Sequence, residues 1–509
     1  MIFIAGFIPI TKINSQNMTR LVFLSILLFF IGPLYSWCQS TFTYTISTAN
    51  DERIYDCTEA DNGNLYFVGR RYYPDTISDA AYFLALDSEG NYLYEHEFFN
   101  EDTSSYIGQV LFINDSIFLF GSKGLTITAK REELWALILD NNYNQIYNKT
   151  FFIEGITIGD IRVLINGNGN FVISATAHHS GYEVDLFLFE MSKSGDSINS
   201  SILYTEGLDL EFDFINTYEN SYKVFAYGDF PGAPNTLGSI VLFDSLFNYI
   251  SADSLPYGLH FQHTAQWLND SVYLVTGEKF LDGGGKRDIG ICKMTEDDQF
   301  IAGNHFGKGG DTITKAGVSS NMDFNDSGNI YFGGITNVNI AYGIYQHDSW
   351  LILENIDSNL NQNWQRFYGG DAGYYLWALK ATADGGCVMM ATRYDPEVQD
   401  GETDVTIIKV DSNGLLTSTG NSPAIPAQKL AIRPNPASGK ITIAYPDIFS
   451  HRQKEILIYN VFGALVQQFD ITADISGSCA DIRSFPKGLY IVVLRVEGAN
   501  IASGKVVKL

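Results

Sequence analysis

The chain has 509 residues and a formal net charge of −26, so it is long enough for two or three domains and too acidic to favour nucleic acid or an anionic membrane surface. Its 30 Tyr, 35 Phe and 47 Gly favour strands and turns over helices. Residues 39–429 carry 21 basic and 52 acidic side chains, whereas residues 430–509 carry 9 basic and 6 acidic ones. This acidic field favours cations or neutral ligands; the alternative is that it only keeps the protein soluble.

Residues 1–38 contain no acidic side chain and one apolar run, residues 21–31, which follows Arg20. This pattern predicts a signal peptide, with the small residues Ser36 and Cys38 placed for a cut before Gln39. A transmembrane anchor is the alternative, but the run is shorter than the ~18–20 apolar residues that span a bilayer. We therefore expect export, and no transmembrane segment in the mature protein.

An apolar strand followed by a tight turn recurs seven times between residues 42 and 411. One example is the strand AYFLALD, which leads into the turn at residues 87–90. The turns start at intervals of 51 to 62 residues, at Asp87, Asp140, Met191, Asp244, Thr295, Asp357 and Asp411. Each unit also has an earlier turn rich in Asn, Asp and Gly, which tolerate positive φ or bond their own backbone. We predict that each unit is a four-stranded antiparallel meander.

A single sheet of this kind cannot bury both of its faces, whereas seven sheets in a ring can, and the ring also hides exposed edges. The fold class predicted for residues 39–420 is therefore all-β, a seven-bladed β-propeller. The last unit lacks an outer strand, and the segment FTYTIS at residues 42–47 matches the outer strands of other units. We expect this N-terminal strand to complete the seventh blade.

The connections between second and third strands are the longest in each unit, and in a propeller they surround one mouth of the central channel. Several carry aromatic side chains, which suit sugar or peptide recognition because a flat ring offers contact area with little entropy to lose. The alternative is that these rings only pack the loops against one another. The candidate ligand-binding residues are Tyr72, Tyr73, Tyr182, Phe230, Tyr342, Tyr345 and Tyr394.

The last of these loops, residues 395–404, concentrates carboxylates, which are the oxygen ligands that calcium prefers. Its spacing departs from the EF-hand pattern, because Gln399 and Asp400 stand where an acid and a glycine should be. A solvated acidic loop is the alternative to a calcium site. The candidate ligands are Asp395, Glu397, Asp400, Glu402 and Asp404.

The cysteines and histidines form no recognisable metal or redox motif. The four cysteines after residue 38 are far apart, which leaves either a disulfide between Cys57 and Cys387 or buried free thiols. His178 and His179 are adjacent, so on a strand they point to opposite faces and make a poor metal chelate. No stretch has the pattern of a nucleophile elbow, so no catalytic residue is predicted.

Beyond a proline-bearing linker, residues 421–429, short alternating strands predict a small immunoglobulin-like β-sandwich over residues 430–509. Its turn and strand signals, in order, are Pro434, Asn435, Pro436, Gly439, Tyr459, Asn460, Gly463, Val466, Pro486, Gly488, Tyr490, Gly504, Lys505 and Val506. This pattern resembles the C-terminal sorting domain of type IX secretion.

The resemblance implies a route and not an activity. Proteins with such a domain are exported to the periplasm and then carried over the outer membrane by the type IX translocon. A sortase-like peptidase usually removes the domain there. The expected location is therefore the cell surface or the medium, and the expected partners are the translocon and the peptidase.

Two classes of function remain for residues 39–420. One is a binding or adhesion module for a glycan or a protein, which the absence of a catalytic signature favours. The other is a secreted polysaccharide-active hydrolase or lyase with its site at the channel mouth. Two carboxylates ~5–9 Å apart in the channel would favour the second class.

Overall fold

The computed structural model describes most of the chain beyond residue 38, and the predicted signal peptide lies outside the described residues. All described strands belong to one unit, Ser40–Leu509. Within the described part of the chain, the one helical element is a 3-10 turn, Pro256–Gly258, so the fold is all-β. The described ranges are 39–48, 50–74, 78–100, 102–125, 133–178, 184–205, 210–217, 220–261, 264–281, 286–308, 313–326, 328–338, 348–395, 403–416, 428–444, 454–460, 464–471, 477–496 and 499–509.

Residues 42–410 form consecutive antiparallel sheets, numbered here from 1 to 7 along the chain, whose strands pair in sequence order. Sheet 1 contains β2 (Asp51–Glu59), β3 (Leu65–Tyr73), β4 (Ser78–Leu86) and β5 (Tyr92–Phe98). Sheet 2 contains β6 (Thr103–Ile113), β7 (Ser116–Leu125), β8 (Glu133–Asp140) and β9 (Gln145–Phe152). Sheet 3 contains β10 (Thr157–Ile165), β11 (Phe171–His178), β12 (Val184–Met191) and β13 (Ser197–Leu203).

Sheets 4 to 7 repeat the plan, with the first strand divided in two in sheets 5 and 6. Sheet 4 contains β14 (Leu210–Asn216), β15 (Tyr222–Phe230), β16 (Ala233–Phe243) and β17 (Tyr249–Ser254). Sheet 5 contains β18 (Leu259–His260), β19 (Ala265–Asn269), β20 (Val272–Phe280), β21 (Arg287–Thr295) and β22 (Phe300–Phe306). Sheet 6 contains β23 (Thr314–Ala316), β24 (Met322–Asp326), β25 (Asn329–Thr336), β26 (Trp350–Ile356) and β27 (Gln362–Gly369). Sheet 7 contains β28 (Gly373–Ala381), β29 (Cys387–Tyr394), β30 (Asp404–Val410) and the N-terminal β1 (Phe42–Ile46).

Buried apolar side chains form a cluster between each pair of neighbouring sheets, which explains why the middle strands are apolar on both faces. Phe83 and Trp135, for example, lie in the cluster shared by sheets 1 and 2. A further cluster joins sheet 7 back to sheet 1 through Val405, Ile54 and Phe67. Because every middle strand is covered on both faces, the arrangement is propeller-like.

Pairing of β1 with β30 confirms the prediction that the N-terminal strand completes the last sheet. The two strands are antiparallel, with Phe42 opposite Lys409 and Ile46 opposite Val405. Phe42 is 3% exposed and its ring lies where a Cβ on Gly90 would stand, so the turn of sheet 1 requires glycine at this position. The first and last strands of residues 42–410 are therefore held in one sheet.

The turns before the outer strands share one hydrogen-bond pattern, which explains the recurrent aspartate. Each Asp side chain accepts hydrogen bonds from the backbone N–H groups two and four residues later, so it closes the turn locally. This pattern occurs at Asp87, Asp140, Asp244, Asp357 and Asp411. In sheet 3 the turn starts at Ser192 and not at Met191, because β12 continues through Met191.

The C-terminal residues form two further sheets around one core. One sheet contains β31 (Gln428–Lys429), β34 (Lys454–Asn460), β35 (Leu465–Ile471), β37 (Gly488–Val496) and β38 (Ala499–Lys508). The other contains β32 (Ala431–Arg433), β33 (Lys440–Ala444) and β36 (Gly477–Asp481). Ile443 from the small sheet and Val492 from the large one are both fully buried in the shared core.

The four described cysteines are free thiols. Cys57, Cys292 and Cys387 are buried and Cys479 is exposed. Of the two alternatives for Cys57 and Cys387, the structure therefore contains the buried free thiols. Burial raises the pKa of the Cys57 thiol well above its usual value, so this group is unreactive at neutral pH.

Candidate functional site

The innermost strands bulge at the point where their side chains line the centre of the fold. Register shifts occur between Ile54 and Asp56 in β2, and between Glu211 and Asp213 in β14. A bulge re-aims the side chain and leaves a backbone group without its ladder partner. These strands are also the inner edges of their sheets, and in several sheets a polar residue of the preceding sheet bonds a backbone N–H on that edge.

Each of these links joins a side chain on one innermost strand to a backbone N–H on the next sheet, where it satisfies a buried donor. The carboxylates accept from the following sheet in three places: Asp56 from Val110 at 3.0 Å, Asp213 from Ala265 at 2.8 Å and Asp323 from Ala381 at 2.9 Å. The Gln109 amide oxygen accepts from Val163 in the same way. The side chains at the centre therefore also fasten neighbouring sheets.

Arg162 on β10 crosses the centre of the fold. Its Nη2 donates to the carbonyl of Ser319 in sheet 6 at 2.7 Å. The same side chain lines two cavities: a mouth cavity of about 230 Å³ and a lower cavity of about 170 Å³. Arg162 thus separates the two.

The lower cavity is lined by charges of both signs. Lys380 pairs with Asp323 at 3.0 Å, and this carboxylate raises the pKa of the ammonium group. Burial raises the pKa of both Asp56 and Asp213 to about 6, against the opposing effect of nearby cations. Within the described residues, no group of three or more His, Cys, Asp or Glu side chains is arranged to hold a metal ion.

The mouth cavity is locally basic, in contrast to the acidic surroundings. Arg53, Arg70 and Arg162 line it, together with Asp160 as the one acidic side chain among its described lining residues. The Arg70 guanidinium pairs with Asp79 at 2.8 Å. The buried Nε atoms of Arg53 and Arg70 have no hydrogen-bond partner among the described residues. An unpartnered buried donor costs about 1–3 kcal/mol, so the described residues leave hydrogen-bonding capacity of both guanidinium groups unused.

Aromatic rings form one wall of the mouth cavity. Tyr55 packs edge-on against Trp377 at 5.2 Å and against Tyr106 at 5.8 Å. The Trp377 indole is fixed by a 2.7 Å hydrogen bond from its Nε1 to the Thr392 hydroxyl. The Arg53 guanidinium lies 5.3 Å from the Trp377 ring centre. Planar faces and guanidinium groups are therefore presented side by side.

His178 supplies a titratable group to the same cavity. Its Nε2 lies 3.3 Å from the Thr176 hydroxyl, which in turn donates to Asp160 at 3.3 Å. The imidazole is thus positioned by neighbours on β10 and β11. Its chain neighbour His179 lies outside the described residues.

The described members of the aromatic set singled out from the sequence are not among the described lining residues of this cavity. Tyr72 and Tyr73 are half-buried at the end of β3, and Tyr394 is half-buried at the end of β29. Phe230 is 1% exposed and packs in the cluster between sheets 3 and 4, because β15 and β16 continue through the predicted loop and leave a two-residue turn. Phe230 is therefore a core residue and not a loop residue. Tyr182, Tyr342 and Tyr345 lie outside the described residues.

Of the candidate calcium ligands, the structure describes Asp395 and Asp404. Asp395 pairs with Arg393 at 3.1 Å. Asp404 is 6% exposed and lies opposite Arg393 in the ladder of β29 and β30. Asp395 is thus engaged with an arginine, and Asp404 is buried in the sheet. Glu397, Asp400 and Glu402 lie outside the described residues.

Glu52 is a buried carboxylate near the junction of sheets 1 and 7. It is 1% exposed, its Oε1 accepts from Arg71 Nε at 2.9 Å, and its Oε2 has no partner among the described residues. Burial raises the pKa of Glu52 from 4.5 to about 7, despite the opposing effects of Thr48 and Arg71. Between these two values the folded chain holds a proton that the unfolded chain has released, so stability falls as pH rises through this window.

The free energy of unfolding of the unsubstituted protein should fall between pH 5 and pH 8. We expect this fall to be about 3 kcal/mol smaller in Glu52→Gln, since each pKa unit corresponds to about 1.4 kcal/mol. Urea unfolding at both pH values measures the free energy of unfolding. Glu89→Gln, on an exposed turn, controls for the loss of one charge. Equal pH slopes for Glu52→Gln and the unsubstituted protein would show that Glu52 does not carry this effect.

The residues of the C-terminal motif hold its two sheets together. The Asn435 side chain donates to the Lys505 carbonyl at 2.7 Å and accepts from the Val507 N–H at 3.0 Å. The Tyr490 hydroxyl donates to the Pro486 carbonyl at 2.8 Å. A Cβ on Gly504 would stand 3.0 Å from the Leu430 carbonyl, so glycine allows this close approach. Gly463 lies outside the described residues.

The same segment matches a known family: residues 431–508 fit the model described as "Secretion system C-terminal sorting domain". These residues are a type IX sorting domain. The protein is therefore exported across the outer membrane to the cell surface or the medium, and the type IX secretion system is its partner. Within the described residues, no helix has the length and apolar character needed to cross a membrane.

Solved structures resemble the chain only distantly. A PL25 ulvan lyase bound to a GlcA and Rha3S saccharide has 10% identity and a TM-score of 0.41, over 74% of this chain and 98% of its own. A protein of unknown function from Dyadobacter fermentans has 9% identity and a TM-score of 0.42, over 72% and 98%. The β-propeller domain of the Trilobed protease from Pyrococcus furiosus has 9% identity and a TM-score of 0.37, over 71% and 94%. No curated protein matches the sequence.

Sequence reasoning missed the residues of the mouth cavity. Tyr55, Arg53 and Tyr106 lie on first strands, whereas the sequence predicted a site in the loops between second and third strands. A signal was present: a polar residue with an apolar or glycine neighbour stands in, or just before, the first strand of each sheet. These residues are Asp56, Gln109, Arg162, Asp213, Thr264, Asp323 and Lys380.

Proposed function

We propose that the chain comprises a signal peptide at residues 1–38, a closed seven-bladed propeller at 39–420, a linker at 421–429 and an immunoglobulin-like sorting sandwich at 430–509. The order of the seven sheets and the cluster between sheets 7 and 1 support the ring. The single core shared by the two C-terminal sheets supports the sandwich. A sortase-like peptidase acting at the linker would release the propeller.

We propose further that the exported propeller is a binding module whose mouth cavity holds an acidic saccharide. The observation that carries the proposal is the lining of three arginines beside an aromatic wall, with two buried guanidinium Nε atoms lacking a partner. A guanidinium matches the geometry of a carboxylate or sulfate group and binds it with charge-assisted hydrogen bonds. The sugar ring would lie against the face of a tyrosine or tryptophan. Protein ligands are the less favoured alternative, because the cavity is small.

Charge explains why the site is confined to the mouth. The acidic surface repels a polyanion over most of the protein, and basic side chains meet it where the cavity opens. Salt screens both effects, so added salt weakens the repulsion by the surface as well as the attraction by the arginines. Calcium binding by residues 395–404 stays a prediction. Calorimetric titration of glycans with and without calcium tests it.

We expect Arg53→Ala to weaken acidic glycan binding about tenfold to a hundredfold, because a hydrogen bond to a charged group contributes about 1.5–3 kcal/mol. A glycan array with acidic and neutral oligosaccharides identifies the ligand, and calorimetry on residues 39–509 measures the affinity. Arg53→Lys keeps the charge but removes the forked guanidinium. Its affinity for the glycan should therefore lie between those of the unsubstituted protein and Arg53→Ala.

Arg483→Ala is the matched control for the Arg53 variants. Arg483 is exposed on the sorting domain and pairs with Asp481 at 2.6 Å, so its loss removes a cation without touching the cavity. An array on which acidic glycans give no signal, or an Arg53→Ala variant that binds them unchanged, would refute the proposal.

The second candidate function is a lyase for uronate-containing polysaccharide at the same cavity. It is favoured by His178, Tyr55 and Tyr106, which provide proton-transferring groups beside arginines that would neutralise the uronate carboxylate. In such a step a base removes the proton at C5, the C4–oxygen bond breaks and the leaving oxygen takes up a proton. A hydrolase is less favoured, because the described lining contains one carboxylate where a pair is needed. Ultraviolet absorbance from an unsaturated product distinguishes the lyase from a binding module.

A further inference from the structure

A third cavity lies at the far ends of the first strands, away from the mouth cavity and the lower cavity. β10 has Gly159 at the mouth cavity and is followed by Gly167 at this other cavity, which occupies about 450 Å³. Its wall is made by the turns that follow the first strands of sheets 3, 4 and 5. We name it the turn cavity; its main lining residues are Asn216, Thr217, Asn220, Trp267, Asn269 and Asp270.

Trp267 gives the turn cavity one fixed aromatic surface. Its Nε1 donates to the Asn216 carbonyl at 2.7 Å, a bond from sheet 5 to sheet 4. Its ring packs against Tyr273 at 5.4 Å and 72°. The indole is half-buried, so part of it faces the cavity while the rest is held by the core. A ring fixed in this way loses little entropy when a flat ligand stacks on it.

Three polar side chains that line the turn cavity, those of Asn216, Asn220 and Asp270, make no hydrogen bond with the described residues. Asn220 is held at φ 57°, and a Cβ on Gly167 would stand 2.6 Å from its amide oxygen, so the bare glycine leaves room for this side chain. Two amides thus offer both donors and acceptors beside the indole.

We propose that the turn cavity binds a neutral saccharide. Amide side chains pair with hydroxyl groups, which both donate and accept, and an indole face stacks on the apolar face of a sugar ring. The charge differs from that of the mouth, since Asp270 is the one charged side chain among the described lining residues. An acidic sugar is disfavoured by this carboxylate. The inference rests on different residues from the mouth proposal and stands independently of it.

The test uses residues 39–509 and a panel of neutral hexasaccharides: cello-, laminari-, xylo- and mannohexaose. The indole N–H resonance of Trp267 is identified by its loss in Trp267→Phe. We expect at least one hexasaccharide to shift this resonance, and Trp267→Ala to weaken that binding about tenfold or more. Trp364→Phe is the matched control, because the Trp364 indole also donates to a carbonyl of the next sheet, that of Ser412 at 3.0 Å.

Two further variants separate this proposal from the others. Arg53→Ala should leave neutral binding unchanged, and Trp267→Ala should leave acidic glycan binding unchanged. If Trp267→Ala does not fold, the double variant Asn220→Ala and Asp270→Ala removes polar groups of the half-exposed turns and should weaken the binding in its place. A panel in which no neutral hexasaccharide shifts the Trp267 resonance, or folded variants that bind as tightly as the unsubstituted protein, would overturn the proposal.

Discussion

Removing residues 430–509 is expected to leave the rest of the chain folded but retained in the periplasm, with surface and medium fractions reduced to background. The sorting domain has its own core, in which Ile443, Val492 and Leu494 are fully buried. Its loss therefore leaves the clusters between sheets 1 and 7 intact. Cell fractionation with immunoblotting measures the location, and thermal unfolding of the purified truncated chain measures whether it folds.

A point variant makes this test sharper. Asn435→Ala removes the two hydrogen bonds that tie the Pro434–Pro436 segment to Lys505 and Val507 in β38, while Asp481→Asn leaves that contact alone. We expect export to fall with Asn435→Ala and to continue with Asp481→Asn. Truncated protein found at the cell surface in normal amounts would mean that the domain is not the export signal.

Much of the fold could be predicted because each repeat contains turns that are specified by residues close together in the sequence. An aspartate that closes its own turn, as at Asp87 and Asp357, needs no tertiary information, so its recurrence reveals the sheet period. The last unit lacks an outer strand, and residues 42–47 form a strand that belongs to no other unit. These two features predicted the pairing of β1 with β30, which is confirmed. Chain connectivity was therefore readable from the sequence.

The mouth cavity could not be predicted, because its residues come from strands far apart in the chain. Arg53 and Trp377 are more than 300 positions apart and meet only when sheet 7 packs against sheet 1. Phe230 shows the converse error: an aromatic residue between turn signals was assigned to a loop, but the strands extend and bury it. Aromatic content alone does not separate core from surface.

Net charge does not describe the lining of the mouth cavity. The excess of acids over residues 39–429 predicts that anions are disfavoured, yet the described lining of the mouth cavity has three arginines and one acid. A sum over the chain discards position, and a ligand responds to the nearest charges, within a Debye length of ~8–10 Å. The polar side chains of the first strands are the better guide, since several of them, such as Asp56 and Lys380, line one central cavity.

Deleting residues 39–48 is expected to abolish folding or to lower the melting temperature by at least about 10 °C. The deletion removes Phe42 and Ile46, which are 3% and 8% exposed, from the cluster with Val405 and Ile407. Truncation of a buried Phe costs about 3–5 kcal/mol and of a buried Ile about 2–5 kcal/mol. The sum approaches the whole stability of a typical domain, about 5–15 kcal/mol. The deletion also leaves β30 as an exposed edge strand, which favours aggregation.

Graded variants show whether the loss comes from the packing of β1. Phe42→Ala should destabilise by about 3–5 kcal/mol in urea unfolding, and Thr43→Ala, whose side chain is half-buried on the same strand, by less than about 1 kcal/mol. A synthetic peptide of residues 39–48, added to the truncated chain, should restore the melting temperature in a concentration-dependent manner, because it can pair with β30 in the register of Phe42 with Lys409. Rescue by this peptide but not by its Phe42→Ala version would locate the stabilisation in the strand itself. An unchanged melting temperature after the deletion would mean that sheets 7 and 1 hold together through their own cluster, without the shared strand.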